Sequence, residues 1–167
     1  MTVSLRKKKV DERLMAESSR KRVVLAMDGS KESDNALDFY MKNIHKDSDE
    51  VILVHCVEHG PHSMGSIWMP LDPHVIARAI QDEEKKGTEI CTKLKTLLPM
   101  YKSGGSITVT TVVGGEPGPT IIQKAEECGA SVIVVGSRGL GTVRRTLVGS
   151  VSDYILHHAN VPVLVCH

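Results

Sequence analysis

The stretch VVGSRGLGTVRRTLVGSVSD, residues 134–153, decides how this chain is read. It leaves an apolar run, crosses glycines at 136, 139 and 141, and ends on a Gly-Ser pair at 149 and 150. That is the pattern of a strand, a loop and a helix. Asp153 stands three positions after Ser150, a short capping box, so the last helix is expected to begin at Ser150. Two roles are open for the loop between them: a phosphate cradle, or a long turn before a capped helix. Glycine lets backbone N–H groups converge on an anion and permits φ > 0. A helix N-terminus adds the positive end of its dipole.

Outward from that stretch, five apolar runs rich in β-branched residues alternate with helical patterns. The runs are Arg22–Met27, Val51–Val57, Ile107–Val113, Ser131–Gly136 and Pro162–His167. Runs without polar alternation suggest strands buried on both faces, as in a parallel sheet. Helices are expected over Lys31–Ile44, over Pro73–Leu98, after Pro117 and Pro119, and from Ser150. In the second of these Ile76, Ile80, Ile90, Leu94 and Leu97 recur at helical spacing. The alternation implies an α/β domain of three layers: an open, twisted, five-stranded parallel sheet, Rossmann-like, with expected strand order 3-2-1-4-5.

Composition narrows the function classes. The chain has 167 residues, 41% apolar and 25% charged, enough for one domain with a full core. Aromatics are 3%, which counts against a base-stacking nucleic-acid surface. Net charge is +1, but residues 1–22 carry eight Lys/Arg against three acids, so the rest is −4 and shows no polyanion footprint. Residues 1–20 are read as a flexible basic tail and 21–167 as the folded domain. The tail has no apolar signal core, and no apolar run reaches the roughly 18 residues of a membrane span. A cytoplasmic protein is expected, with Arg6-Lys7-Lys8-Lys9 as a weak nuclear address. Cys56, Cys91, Cys128 and Cys166 show no metal or disulfide spacing, which fits a reducing setting. Residues 58–72 (EHGPHSMGSIWMPLD) read as a long surface loop.

In open parallel sheets, ligands bind beyond the carboxyl ends of the strands where strand order reverses. Two strands end in suitable residues: Ala26-Met27-Asp28-Gly29-Ser30, and Gly136-Ser137-Arg138-Gly139. With order 3-2-1-4-5 they flank one crevice. There is no P-loop lysine motif, and Arg144 stands where a dinucleotide fingerprint wants its third glycine. His55, His59 and His62 offer a metal pattern without an evident fourth ligand, so no metal site is assigned.

The spacing Gly136-x2-Gly139-x9-Gly149-Ser150 resembles the G-x2-G-x9-G-[ST] motif of the nucleotide-binding branch of the universal stress protein family. VVLAMDGS at 23–30, EVILVHCVE at 50–58, VVGGEPGPTII at 112–122 and PVLVCH at 162–167 are similar to further segments of that family, so the resemblance covers about residues 20–167. It implies binding of ATP, ADP or AMP, with Mg²⁺ or Mn²⁺ bound through the phosphates. Asp28 would sit near ribose or phosphate, and the backbone of Ala26 and Met27 would line the adenine edge. Cys56 would contact the adenine and Val113 would cover it. Gly136, Ser137, Arg138, Gly139 and Gly141 would wrap the phosphates, with Gly149, Ser150, Val151 and Ser152 closing over them. Ala26 and Cys56 replace a frequent Pro and Val.

The resemblance also implies a homodimer, and the uncharged last strand Pro162–His167 is independently a pairing hazard if left at an exposed sheet edge. A hydrolase would need a positioned base, and Asp28 is the strong carboxylate candidate in the crevice. Ligand-linked changes of conformation or dimer contacts in a stress or signalling module are therefore favoured over slow ATP hydrolysis or autophosphorylation. A ligand-free scaffold is the further alternative. An ATP pyrophosphatase or nucleotidyl-transfer enzyme is disfavoured, because its motifs are missing.

Overall fold

Val, Ile and Leu in short runs build the sheet. The computed structural model describes residues 20–57, 73–101, 105–137 and 149–167, without the side chains at 73, 75, 76, 79, 80 and 83. The basic tail through residue 19, the 58–72 loop, Ile76, Ile80, His59, His62 and residues 138–148 lie outside the described residues. In chain order the elements are β1 (Arg22–Ala26), α1 (Lys31–Asn43), β2 (Glu50–Val57), α2 (Pro73–Leu97), β3 (Ser106–Val113), α3 (Pro117–Glu127), β4 (Val132–Gly136), α4 (Ser150–His158) and β5 (Val163–Cys166), with a 3₁₀ turn at Leu98–Met100. All described pairings are parallel, and the order is β3-β2-β1-β4-β5, as the sequence predicts.

Side chains alternate across the sheet, and this sorts the core into two halves. Val23, Leu25, Val51, Leu53 and Val134 face α1 and α2, where they meet Ala36, Leu37, Tyr40 and Leu94. Val24, Ile52, Val54, Ile133 and Val135 face α3 and α4, where they meet Ile121, Ala125 and Ile155. The three layers follow from that sorting. Burial on both faces holds for β1, β2 and β4. It does not hold for β3, which alternates exposed and half-buried residues, or for β5, which is half-buried throughout. Both are sheet edges, so each lacks a neighbour on one side. The Thr residues interleaved in ITVTTVV are the sequence trace of the β3 edge.

Two helix starts follow local chemistry and a third departs from it. Ser30 caps α1, its Oγ accepting from Ser33 N–H (3.2 Å). Pro117 opens α3, where a missing N–H costs nothing. The capping box expected for the last helix does not form. Gly149 is the N-cap, Ser150 is the first helical residue, and no side chain caps the helix.

At the opposite, amino end of the sheet, the buried Tyr40 donates its hydroxyl to buried Asp49 (2.9 Å), which also accepts from Lys46 N–H (3.0 Å). Burial, then the Asp49 hydrogen bond and charge, push the Tyr40 phenol far above the ordinary tyrosine value. An acid held protonated in the fold contributes stability below its unfolded pKa, and that contribution is lost as pH rises past it. The wild type should therefore lose unfolding free energy above about pH 10. Tyr40→Phe should flatten that loss between about pH 9 and pH 11 in urea titrations, and an unchanged pH slope would remove Tyr40 as its source.

Candidate functional site

A cavity of about 240 Å³ opens at the carboxyl ends of β1, β2 and β4, where the strand order reverses. Its apolar wall is Ala26, Val54, Cys56, Ile121 and Val135; its polar rim is Asp28, Ser30, Ser33 and the start of α4 from Gly149 to Ser152. Met27, Pro117 and Gly136 complete the lining.

Of the residues singled out from sequence, the fold brings together Ala26, Met27, Asp28, Cys56, Gly136, Gly149, Ser150, Val151 and Ser152. Arg138, Gly139 and Gly141 lie outside the described residues. Val113 is not part of the lining: it ends the β3 edge and is 62% exposed. Ser137 is buried beside the cavity rather than in its wall. Its N–H donates to the Cys166 carbonyl of β5 (2.7 Å), while its buried Oγ has no hydrogen-bond partner among the described residues.

Several polar groups around the cavity are already committed. Asp28 Oδ1 accepts from Ser30 N–H (3.0 Å), a local turn that ties this carboxylate to the residue capping α1. Met27 N–H donates to the Val54 carbonyl (2.8 Å), and the Met27 carbonyl accepts from His55 Nδ1 (2.7 Å). Met27 therefore has no N–H left for a ligand's edge. His55 lies on the α2 side of the sheet, away from Cys56, which is packed on the α3 and α4 side.

The α4 terminus is built differently. The Gly149 carbonyl accepts from Asp153 N–H (2.8 Å) and Ser152 Oγ (2.9 Å), but the amides of Ser150, Val151 and Ser152 have no intrahelical acceptor. Among the described residues nothing else bonds them. Three amide donors thus line one end of an apolar cavity, an arrangement suited to an anion attached to an apolar ring. This donor set fits phosphate. Among the described residues no cluster of three His, Cys, Asp or Glu would hold a metal ion by itself.

Gly136 has a structural reason beyond the one read from sequence. Its φ is not in the left-handed region. A Cβ there would stand 2.5 Å from the Glu32 carbonyl carbon and oxygen and 2.8 Å from Ser33 N. The space a side chain would fill belongs to the first turn of α1.

Ser30, at the end of the first strand segment read as suited to the crevice, lines the cavity; sequence reasoning missed Ser33, Val54, Pro117, Ile121 and Val135. The strand period would have found Val54 from Cys56, two residues on along the same face. Helical spacing would have paired Pro117 with Ile121. His157 and His158, at the far end of α4, turn Nδ1 to the carbonyls of Asp153 (2.9 Å) and Tyr154 (2.8 Å). None of the four cysteines is in a disulfide, and burial raises the thiol pKa of Cys128 and Cys166. No described helix is long and apolar enough to cross a membrane.

Known proteins of similar sequence and structure agree with this architecture. The profile of the universal stress protein family matches residues 19–167. Universal stress protein YxiE of Bacillus subtilis is 29% identical over 148 residues, covering 86% of this chain and 97% of its own. A universal stress protein family protein of Arabidopsis thaliana, solved with AMP bound, superposes with a TM-score of 0.58 at 20% identity, over 87% of this chain and 90% of its own. A universal stress protein solved in complex with cAMP gives 0.53 at 24%, over 88% and 96%. By the match across nearly its whole length, this chain belongs to the universal stress protein family.

Proposed function

We propose that the cavity binds an adenine nucleotide (ATP, ADP or AMP), with the base on the Ala26, Val54, Cys56, Ile121 and Val135 wall and the phosphates at the start of α4. Ser137, Arg138, Gly139 and Gly141 complete the phosphate wrap, and Mg²⁺ or Mn²⁺ is carried on the phosphates. The observation that carries this reading is the meeting of an apolar wall with three uncapped helix amides at the strand-order switch. The AMP and cAMP complexes of structural neighbours support it.

The role assigned is that of a binding module whose occupancy alters conformation or dimer contacts. Asp28 favours binding over turnover, since one of its oxygens is held in a local turn. Slow hydrolysis or autophosphorylation would need a base that the described cavity residues do not otherwise supply.

The homodimer is proposed to form through β5. The carbonyls of Pro162 and Cys166 point toward β4, accepting from Ile133 and Ser137. Backbone direction alternates along a strand, so Val163 and Val165 turn theirs to the open edge. Leu164 packs into its own core, so a charge there would disturb the fold as well as an interface.

Native mass spectrometry of the purified, undialysed protein, with and without Mg·ATP, tests both proposals. A dimer carrying up to one nucleotide per chain is expected, and slow ADP accumulation would mark an enzyme. A protein that stays bare at millimolar Mg·ATP would leave the scaffold reading. Val165→Pro removes an outward N–H without touching the β4 ladder; it also trims a half-buried side chain packed on the α3 and α4 side, so it should yield folded monomer, with circular dichroism checking the fold. A persistent dimer would place the interface elsewhere.

A further inference from the structure

β1 ends at Ala26 and α1 begins at Lys31; backbone bonds tie the two ends of the turn between them, Met27 N–H to the Val54 carbonyl (2.8 Å) and Asp34 N–H to the Ser30 carbonyl (3.1 Å). Met27 is 98% buried, and its carbonyl points at His55 Nδ1, 2.7 Å away. A carbonyl oxygen only accepts, so the hydrogen of that contact belongs to the ring nitrogen. His55 is 93% buried and is therefore fixed as a ring with Nδ1–H.

The ring is also roofed. A Cβ on Gly87 of α2 would stand 3.6 Å from His55 Nε2 and 2.9 Å from Val57 Cγ2, so α2 lies directly on this part of β2. Three residues further along α2, the Ile90 side chain packs against Gly29, where a Cβ would meet it at 2.9 Å. Gly29 has φ +77°, the left-handed conformation the turn requires. One face of α2 thus covers both the histidine and the turn, and the histidine links them through Met27. Asp28 and Ser30, on the cavity rim, are the next residues along.

We propose that His55, which does not line the cavity, is its positioning residue: through its Nδ1–H bond to Met27 it sets the Asp28-Gly29-Ser30 turn at the cavity rim. The consequence for ligand affinity rests on the nucleotide reading; the positioning itself does not.

Three substitutions separate this role from simple core filling. Asparagine carries an amide N–H near the place of Nδ1 and can still reach the Met27 carbonyl. Glutamine carries its amide one bond further out, near the place of Nε2. Leucine fills space and donates nothing. Loss of one buried hydrogen bond converts to about tenfold. His55→Leu and His55→Gln are therefore expected to speed amide exchange at Asp28, Gly29 and Ser30, and to weaken AMP binding in calorimetry, each by about that factor. His55→Asn should stay close to wild type in both.

Nitrogen-15 spectra of the wild-type imidazole should show the proton on Nδ1. Because that spectrum uses the native chain, the proposal remains open to refutation even where a variant fails to fold. A proton on Nε2, or equal exchange at the turn in the Leu, Gln and Asn variants, overturns it. Should the wild type bind no AMP, the nucleotide reading falls, while the spectrum and the exchange rates still decide the positioning role.

Discussion

Gly136→Ala is expected to lower the unfolding free energy by about 3 kcal/mol, the upper end of the usual overpacking range. One methyl has this effect because of what it meets. Its nearest neighbours are the backbone carbonyl of Glu32 and the backbone N of Ser33, at 2.5–2.8 Å. Ordinary contact begins near 3.4 Å. A flexible side chain would swing away, but these atoms belong to the capped first turn of α1 and move only with it. At this chain length the loss corresponds to a drop in Tm of roughly 6–12 °C. The displaced turn carries Ser30 and Ser33, so the cavity should change shape as well. Urea and thermal unfolding measure the first effect. A change below about 0.5 kcal/mol, the size of an ordinary surface substitution, would mean that α1 yields freely.

Cys56→Phe is expected to cost the opposite property: affinity rather than stability. Cys56 is half-buried in the apolar wall of the cavity, on the face shared with Ala26 and Val54. A phenyl ring there projects into the space of about 240 Å³ that the fold leaves between β2, α3 and α4. Because that space is not already packed, the folded protein should tolerate the ring within about 1.5 kcal/mol. A ligand base would meet it directly. An overpacking penalty near 3 kcal/mol converts to about a hundredfold in Kd. Calorimetric titration of AMP into wild type, Cys56→Ala and Cys56→Phe reads this out. The Ala variant should bind like wild type within a few fold. Equal binding by the Phe variant would move the base away from this wall.

Much of the architecture was legible because a parallel sheet writes itself as short β-branched runs between helical periods. Each expected strand falls within a residue of its observed limits, and Pro117 marked the start of α3. The positions at the strand ends, Asp28 and Gly136, reached the cavity because strand order alone places them there. What was not legible depends on objects distant in sequence. Gly136 reads as one glycine of a loop; only the approach of α1 reveals that its missing Cβ is a packing requirement. Ser150 reads as a cap, yet Gly149 takes that position and leaves the amides open. Val113 ends an apolar run like the others, but β3 is an edge and exposes it. Ile121 reaches the wall from another element, which no local pattern near β1 or β4 announces.

The hydrogen bond from Ser137 N–H to the Cys166 carbonyl joins the first residue after β4 to the strand at the sheet's open edge. A group that engages the loop at Ser137 and a twin strand that engages β5 would pull on the same short piece of backbone. Linkage then makes the traffic reciprocal: any factor by which dimer formation tightens or loosens ligand binding is the factor by which ligand shifts the dimer. The protein would report its occupancy as a change in assembly, and its assembly as a change in occupancy, across one peptide bond's width of structure.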